Sequence, residues 1–391
     1  MNAVVREIRE WARTSLLEDT LPYWYSRSFG ESGFFHPQLD RQWVKREPGT
    51  ATLVSQTRLL YTMSAAFRYS GDPKYRQAVE TGAEFLCRVF RDREYPGWYW
   101  SSDSRGAVIS EEKSSYGHGF VIFGLAHAGK LLEREDYLDL ALTTLREMKA
   151  FMRDSLGGYY TSLSREGKPL ARNSGQRTQN PMMHLFEAHL ALMECGLNTS
   201  EVRESAEEIA RFLHKKHGHS FRDKSLPETY SPGWEPLEAG SGGRIEIGHQ
   251  LEWAYLLWRG CRLGLDRRWS SLAGILLDHA LIAGESPGGG VYTNERPDRT
   301  GPVRKDFKWW PQCELIRVLF HAAFRQGRTD LAGRIAGHIS FFRKNFQDPE
   351  YGGMYRLPVS SAGEENWDWK GTEWKIDYHA VSMWDEILRE N

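Results

Sequence analysis

Apolar residues recur at three- and four-residue intervals in twelve stretches, at 3–25, 53–70, 74–91, 116–133, 136–155, 181–196, 200–216, 248–263, 269–283, 309–326, 329–345 and 377–389. Each is long enough for a helix. Asp72-Pro73, Asn198 and Gly327 mark breaks so short that the flanking helices must run antiparallel. Between pairs, a glycine followed by aromatic or apolar residues recurs every 60 to 72 residues: Gly33-Phe34-Phe35, Gly97-Trp98-Tyr99, Gly158-Tyr159-Tyr160, the degenerate Gly218-His219-Ser220-Phe221, Gly290-Val291-Tyr292 and Gly353-Met354-Tyr355. Most copies run into polar, turn-rich sequence, which predicts short strands or hairpins in the loops. Six units of two helices predict an all-α fold, an (α/α)6 barrel of six helical hairpins with short β-hairpins in the loops, forming a single domain over 1–391. An open solenoid of the same hairpins is the alternative.

Polar and aromatic residues crowd the starts of the even-numbered helices, and the odd ones show nothing comparable, reading as ordinary amphipathic helices. The even set carries Gln56 and Arg58; Tyr116 and His118; Asn180, His184 and Glu187; His249 and Glu252; Trp309, Trp310, Gln312 and Glu314; Trp374, Lys375 and His379. If the even helices form an inner ring starting at one rim, these side chains converge on one pocket.

Charge adds an exclusion. Lys plus Arg number 51 against 52 Asp plus Glu, so no basic field points to nucleic acid or an anionic membrane. No run approaches the roughly 18 apolar residues of a membrane span. Cys87, Cys195, Cys261 and Cys313 lie far apart in apolar helical sequence, as reduced core residues would, and the first residues lack a secretory pattern; both favour the cytoplasm. Aromatics reach 13%, many beside Gly, His or Glu, a mixture that suits sugar rings with C–H faces and hydroxyl edges.

His184 with Glu187, and His249 with Glu252, each place a carboxylate three residues after an imidazole on one helical face. Such a carboxylate fixes the tautomer and raises basicity, as a general base near neutral pH requires. A zinc-protease HExxH is absent, and Glu-x-x-His occurs once, at Glu246-Ile247-Gly248-His249, where a dinuclear carboxylate bundle needs two copies plus further acids. For either pair alone a helix-surface ion pair or a satisfied polar pair in the core is the commoner explanation. Arg58 has a similar local alternative in pairing with Glu187 or Glu314. Gly240 to Gly243 lacks the GK[ST] ending of a phosphate-binding loop.

Six stretches together resemble the N-acylglucosamine 2-epimerase superfamily: Gln56-Thr57-Arg58, Tyr116-Gly117-His118-Gly119-Phe120, Asn180-Pro181-Met182-Met183-His184-Leu185-Phe186-Glu187-Ala188, Gly248-His249-Gln250-Leu251-Glu252-Trp253-Ala254, Trp309-Trp310-Pro311-Gln312-Cys313-Glu314, and Trp374-Lys375 through Tyr378-His379. The third and fourth are most similar to its mannose isomerase and aldose-ketose isomerase branch. The resemblance implies His249 and His379 as the two acid/base residues, with Glu252 orienting His249. It also implies Arg58, Tyr116, Asn180 and His184 holding sugar hydroxyls and the carbonyl oxygen, Glu187 supporting His184, Trp310 and Trp374 stacking on the ring, and Arg244 as a further contact. It implies no metal and no cofactor, and a free monosaccharide or disaccharide as partner, with a homo-oligomer left open. The expected reaction interconverts an aldose and a ketose, D-mannose with D-fructose or D-lyxose with D-xylulose; 2-epimerisation is the alternative. Two other classes stay open: a glycoside hydrolase on the same barrel, with Glu187, Glu252 and Glu314 as carboxylates, and a non-catalytic sugar-binding protein.

Overall fold

A computed structural model describes residues 2–170, 176–217 and 225–389; Gly218-His219-Ser220-Phe221 lies outside the described residues. Among the described residues, twelve helices of 11 to 18 residues build the fold. They are α1 (Asn2–Leu17), α2 (Leu53–Ser70), α3 (Pro73–Val89), α4 (Ser115–Leu132), α5 (Glu135–Glu147), α6 (Asn180–Glu194), α7 (Ser200–His217), α8 (Ile247–Arg262), α9 (Arg268–Gly284), α10 (Trp309–Arg325), α11 (Ile335–Phe346) and α12 (Tyr378–Leu388).

The even helices pack in sequence, α2 on α4, α4 on α6, α6 on α8, α8 on α10 and α10 on α12, and α12 returns to α2, so the ring closes and the solenoid is excluded. Tyr61 on α2 meets Tyr378 on α12 at 5.8 Å between ring centroids. Each inner helix is buried nearly all round, from Leu53 to Ala66 on α2 and from Ile247 to Gly260 on α8. The outer helices bury one stripe each, Tyr75, Ala78, Val79, Ala83 and Leu86 on α3 for example, the pattern of an amphipathic cover. Trp11 of α1 packs edge-on against Phe342 of α11 and Trp384 of α12, which seats α1 over the seam.

Helix boundaries follow local chemistry. Thr52 and Ser114 cap α2 and α4 through side-chain oxygens that accept from Ser55 and Gly117 N–H groups. Asp72 caps α3 with Pro73 in its first turn, and Gly71, at φ 68°, ends α2 in the left-handed conformation. The stretch 3–25 is not one helix: α1 stops at Leu17, and a separate short turn Leu21–Tyr23, with Pro22 near its start, leads into a wide turn at Trp24–Ser28. The stretch 136–155 likewise ends in a wide turn at Met148–Met152, and 329–345 begins with a tighter turn at Thr329–Arg334.

The glycine motif is a small reversal that follows an outer helix. Single bridges join Phe29 to Phe35, Arg91 to Trp98, Arg153 to Tyr159, Glu285 to Val291 and Gln347 to Met354. Gly33, Gly97, Gly158 and Gly353 adopt φ of 91°, 98°, 71° and 64°, where a side chain is disfavoured. A second set of strands ties neighbouring loops together. Strand β1 (Thr50–Thr52) pairs with β2 (Ser101–Asp103), which folds back on β3 (Val108–Ser110); β4 (Lys113–Ser114) pairs with β5 (Ser162–Leu163), β6 (Arg177–Thr178) with β7 (Thr229–Tyr230), and β8 (Ile245–Glu246) with β9 (Asn294–Glu295), all antiparallel. Leu39 and Gly371 exchange two backbone hydrogen bonds of 3.0 Å and close the rim where α12 meets α2.

Buried ion pairs reinforce this rim. Lys113 donates to Asp92 at 2.7 Å, Arg177 to Asp154 at 2.6 Å and Lys370 to Asp348 at 2.8 Å, each aspartate sitting 21 to 23 residues before its cation. Cys195 and Cys313 are buried, Cys87 and Cys261 half-buried, and all four are unpaired. Among the described residues no helix is long and apolar enough to cross a membrane.

Candidate active site

All inner helices start at the strand-tied rim, so their first turns share one end of the barrel. Several polar residues there face backbone rather than cavity. Gln56 accepts from the Phe35 N–H at 2.9 Å and donates to its carbonyl at 2.6 Å, and Gln312 does the same to Val291 at 2.8 and 2.8 Å. Gln250 clamps Leu226 at 2.8 and 2.9 Å. His118 accepts from the Trp98 N–H at 3.0 Å, and Lys375 donates to the Met354 carbonyl at 2.8 Å. The expectation that Gln56, His118, Gln312 and Lys375 converge on the pocket is therefore corrected: they staple the glycine motifs to the inner helices, because a buried backbone group requires a partner.

The remaining set does converge. His184 Nδ1 lies 3.0 Å from Glu187, His379 Nδ1 2.8 Å from Glu314 and His249 Nδ1 2.6 Å from Glu228. In each pair the proton belongs on Nδ1, which leaves Nε2 as the reactive atom. His249 and His379 are 8% and 7% exposed. Trp310 stands against both, with ring centroids 5.0 Å from His249 and 5.5 Å from His379, each tilted 36°.

Glu252 does not bond His249. Both its oxygens are buried without a hydrogen-bond partner, and its nearest imidazole is His184 at 3.9 Å. The partner of His249 is Glu228, which sits outside the inner helices and which helical spacing had no means to find.

Arg58 donates to the Tyr116 hydroxyl at 2.7 Å and lies over the rings of Phe120 and Tyr378 at 4.2 and 4.7 Å. The Tyr116 ring is 5.2 Å from His184. Tyr378 donates its hydroxyl to Glu187, and Arg317 donates to Glu314 at 3.2 Å. The Asn180 side-chain Oδ1 is buried without a hydrogen-bond partner at the start of α6. Arg244 is further out, half-exposed and bonded to Glu246 at 2.5 Å. Trp374 is 53% exposed, with Trp100 at 5.9 Å as its aromatic neighbour, so it lies on the rim and not against the two histidines.

Burial and crowding set the charges. Burial, then the charges of Glu314 and Glu187, hold the Glu252 carboxyl well above the usual range, which makes it a neutral acid able to donate. Burial alone would also raise Glu187, but His184, Arg317 and the Tyr378 hydroxyl outweigh it and keep Glu187 ionised. Burial pushes His379 well below its ordinary value, with Arg58 and His184 adding to the effect. His249 goes the other way. Burial lowers it, but the charge and hydrogen bond of Glu228, with Glu246 assisting, leave it raised.

Two groups have donor atoms within 4.8 Å of one another, as a metal ion needs: His184, Glu187 and Glu252, and Glu252, Glu314 and His379. Arg58 and Arg317 act on the same carboxylates and oppose a second cation there. Two larger recesses of the molecule, about 970 Å³ between α1 and α11 and about 790 Å³ at the C-terminal ends of α2, α4, α6 and α8, contain none of the residues named above as site.

The model of the N-acylglucosamine 2-epimerase family matches residues 33–382. A cellobiose 2-epimerase of Bacteroides fragilis is 25% identical, with 98% of this chain and 99% of that protein aligned. A D-mannose isomerase of Marinomonas mediterranea is 24% identical over 95% of each. The crystal structure of a D-mannose isomerase superposes with a TM-score of 0.88 at 20% identity, covering 97% of both chains.

Proposed function

Since the chain belongs to the N-acylglucosamine 2-epimerase family and is an epimerase or isomerase, we propose that it interconverts a free aldose and ketose, D-mannose with D-fructose, with D-lyxose and D-xylulose as the second pair. The observation that carries this reading is the placement of His249 and His379 against the same indole, Trp310, each with Nδ1 on a carboxylate. Trp310 offers a face for the sugar's C–H surface, and Trp374 a second one at the rim. Chemistry at C1 and C2 of an opened sugar needs one neutral base and one acid. His379, kept neutral, removes the C2 proton. Negative charge develops on the enediolate oxygen, where Arg58, Tyr116 and the neutral Glu252 supply donors in a water-poor site. His184, supported by Glu187, and Asn180 hold the remaining hydroxyls, and Arg244 guards the entrance. For the ketose, protonated His249 gives its own proton to C1 while the O2 proton passes to O1, and exchange with solvent returns both imidazoles to their starting charge. No metal or cofactor takes part, and 1–391 works as one catalytic unit.

Return of the proton to the opposite face of C2 gives the 2-epimer, the reaction named for the cellobiose relatives. A hydrolase reading is disfavoured. Inverting hydrolysis separates two carboxylates by about 6.5 to 9.5 Å across a cleft, whereas Glu252 has an oxygen within 4.8 Å of both Glu187 and Glu314. The test is incubation with D-mannose in deuterium oxide, followed by NMR and chromatography. Fructose carrying deuterium at C1 supports isomerisation, and glucose carrying it at C2 supports epimerisation. Absence of exchange with mannose, glucose, fructose, lyxose, N-acetylmannosamine and cellobiose alike would overturn both.

A further inference from the structure

Glu228 lies 21 residues before His249 in an irregular stretch, yet it is the most firmly held carboxylate in the site. Its Oε1 accepts from the Thr178 hydroxyl at 2.7 Å, and its Oε2 accepts from the Gln179 amide at 2.9 Å and from His249 Nδ1 at 2.6 Å. Its backbone is tied as well: its carbonyl accepts from the Gln179 N–H at 3.2 Å and its N–H donates to the Arg244 carbonyl at 2.9 Å. The Gln179 amide cannot turn over, because its oxygen accepts the Trp253 indole N–H at 2.5 Å. Trp253 follows His249 by one turn on α8, so the chain of bonds from His249 through Glu228 and Gln179 returns to its own helix. Glu228 is 3% exposed, Gln179 0% and Trp253 1%. Pairing of β6 with β7, Thr178 opposite Thr229, fixes the register of the clamp.

We propose that Glu228 is the positioning residue for His249, fixing its orientation and keeping a proton on Nδ1 so that Nε2 alone exchanges protons with the sugar. This rests on the isomerase reading above. A carboxylate serves better than a neutral acceptor, because an imidazolium forms in each turnover and a buried counter-charge stabilises it. Burial alone would raise Glu228, but His249, Thr178 and Gln179 hold it below the usual carboxylate range. Four charged or titratable groups face His249: Glu228, just before β7, and Glu246 on β8 favour its cation, while Arg244 beside β8 and His184 on α6 oppose it.

The test is Glu228→Gln, a shape-preserving change that keeps an acceptor for Nδ1 and removes the charge. Turnover falls at least about tenfold with little change in KM, the alkaline limb of the rate profile moves to lower pH, and Glu228→Asp restores part of both. The independent readout is NMR titration of nitrogen-15 histidine-labelled protein, with the His249 signal assigned by its loss in His249→Asn: in Glu228→Gln it titrates at lower pH. Thr178→Val, which loosens the grip and leaves the carboxylate, shifts both readouts the same way and carries the test if Glu228→Gln fails to fold. Wild-type turnover together with an unchanged His249 titration in Glu228→Gln overturns the proposal. Wild-type protein that exchanges no deuterium with any sugar overturns the isomerase reading instead, and the titration still judges Glu228.

Discussion

Gly248 and Trp310 are matched so closely that a methyl group on the glycine would stand 2.2 Å from the indole ring. Gly248 has no unusual backbone conformation, so the reason for glycine here is space alone. Trp310 also touches both His249 and His379. Gly248→Ala is therefore expected to leave the barrel folded while displacing the ring that both histidines pack against. Because small misplacements of reacting groups are costly, turnover should drop on the order of 100-fold. Steady-state kinetics beside a thermal melt checks this, and full activity would mean that the indole has room to move.

His379→Ala removes the neutral base and leaves the sugar's other contacts in place. Turnover should fall by at least about 100-fold, while mannose still binds, as read by tryptophan fluorescence or calorimetry. Near-normal turnover removes His379 from the mechanism.

The two histidines are displaced in opposite directions, and this fixes the shape of the pH profile. Burial keeps His379 unprotonated until the pH falls well under 6.5, so the acid limb of kcat/KM lies below that value. Glu228 overcomes burial to keep His249 protonated above 6.5, so the alkaline limb lies on the other side. The active window therefore straddles 6.5. An acid limb found above pH 7 would contradict the assignment of His379 as the base.

Asp348 and Lys370 are both 0% exposed and joined at 2.8 Å, with Arg41 on the same carboxylate at 2.9 Å. Burial would raise Asp348, but these cations and the turn amides hold it well below 3.8, the value it regains on unfolding. The unfolded chain thus binds more protons between the two values, and the associated stability is present above about pH 4 and lost as the pH falls further. Burial lowers Lys370 to about 8, so an unpaired lysine here would be badly placed. Asp348→Asn is expected to cost about 3–5 kcal/mol in urea titrations at pH 7 and to flatten the acid dependence.

Trp374 and Trp100 stand at the rim, beyond the histidines. Trp374→Ala should raise KM several-fold for a disaccharide, by the loss of roughly 1 kcal/mol of stacking, and change kcat little. Equal effects on kcat would place Trp374 nearer the chemistry than its exposure indicates.

The helices and their closure into a ring were legible because long apolar periodicity reports burial directly, and the glycine motif repeats at near-constant intervals. Helix ends were less so: Pro22 and the wide turns at Trp24–Ser28 and Met148–Met152 interrupt stretches whose apolar spacing continues through them. Among the polar residues, Arg58, His184, Glu187, His249 and His379 meet as expected, while Gln56, His118 and Gln312 serve the backbone. A signal for that difference was present. Four staples follow their motif residues Phe35, Trp98, Val291 and Met354 at 21, 20, 21 and 21 positions, and Gln250 follows Leu226 at 24. Glu228 left no comparable trace, since its position depends on strand pairing in a loop and on no helical period.

The staples divide labour at or just before the starts of five inner helices. In five of the six hairpins one side chain is committed to holding the chain's own backbone groups, and its neighbours one to four positions away are free to face the axis. Substitutions that re-line the interior for a bulkier, smaller or differently substituted sugar need not disturb the scaffold, provided the stapling positions are left untouched. An engineer seeking new substrates should therefore diversify Asn180, Arg244 and Trp374 and freeze Gln56, His118, Gln250, Gln312 and Lys375.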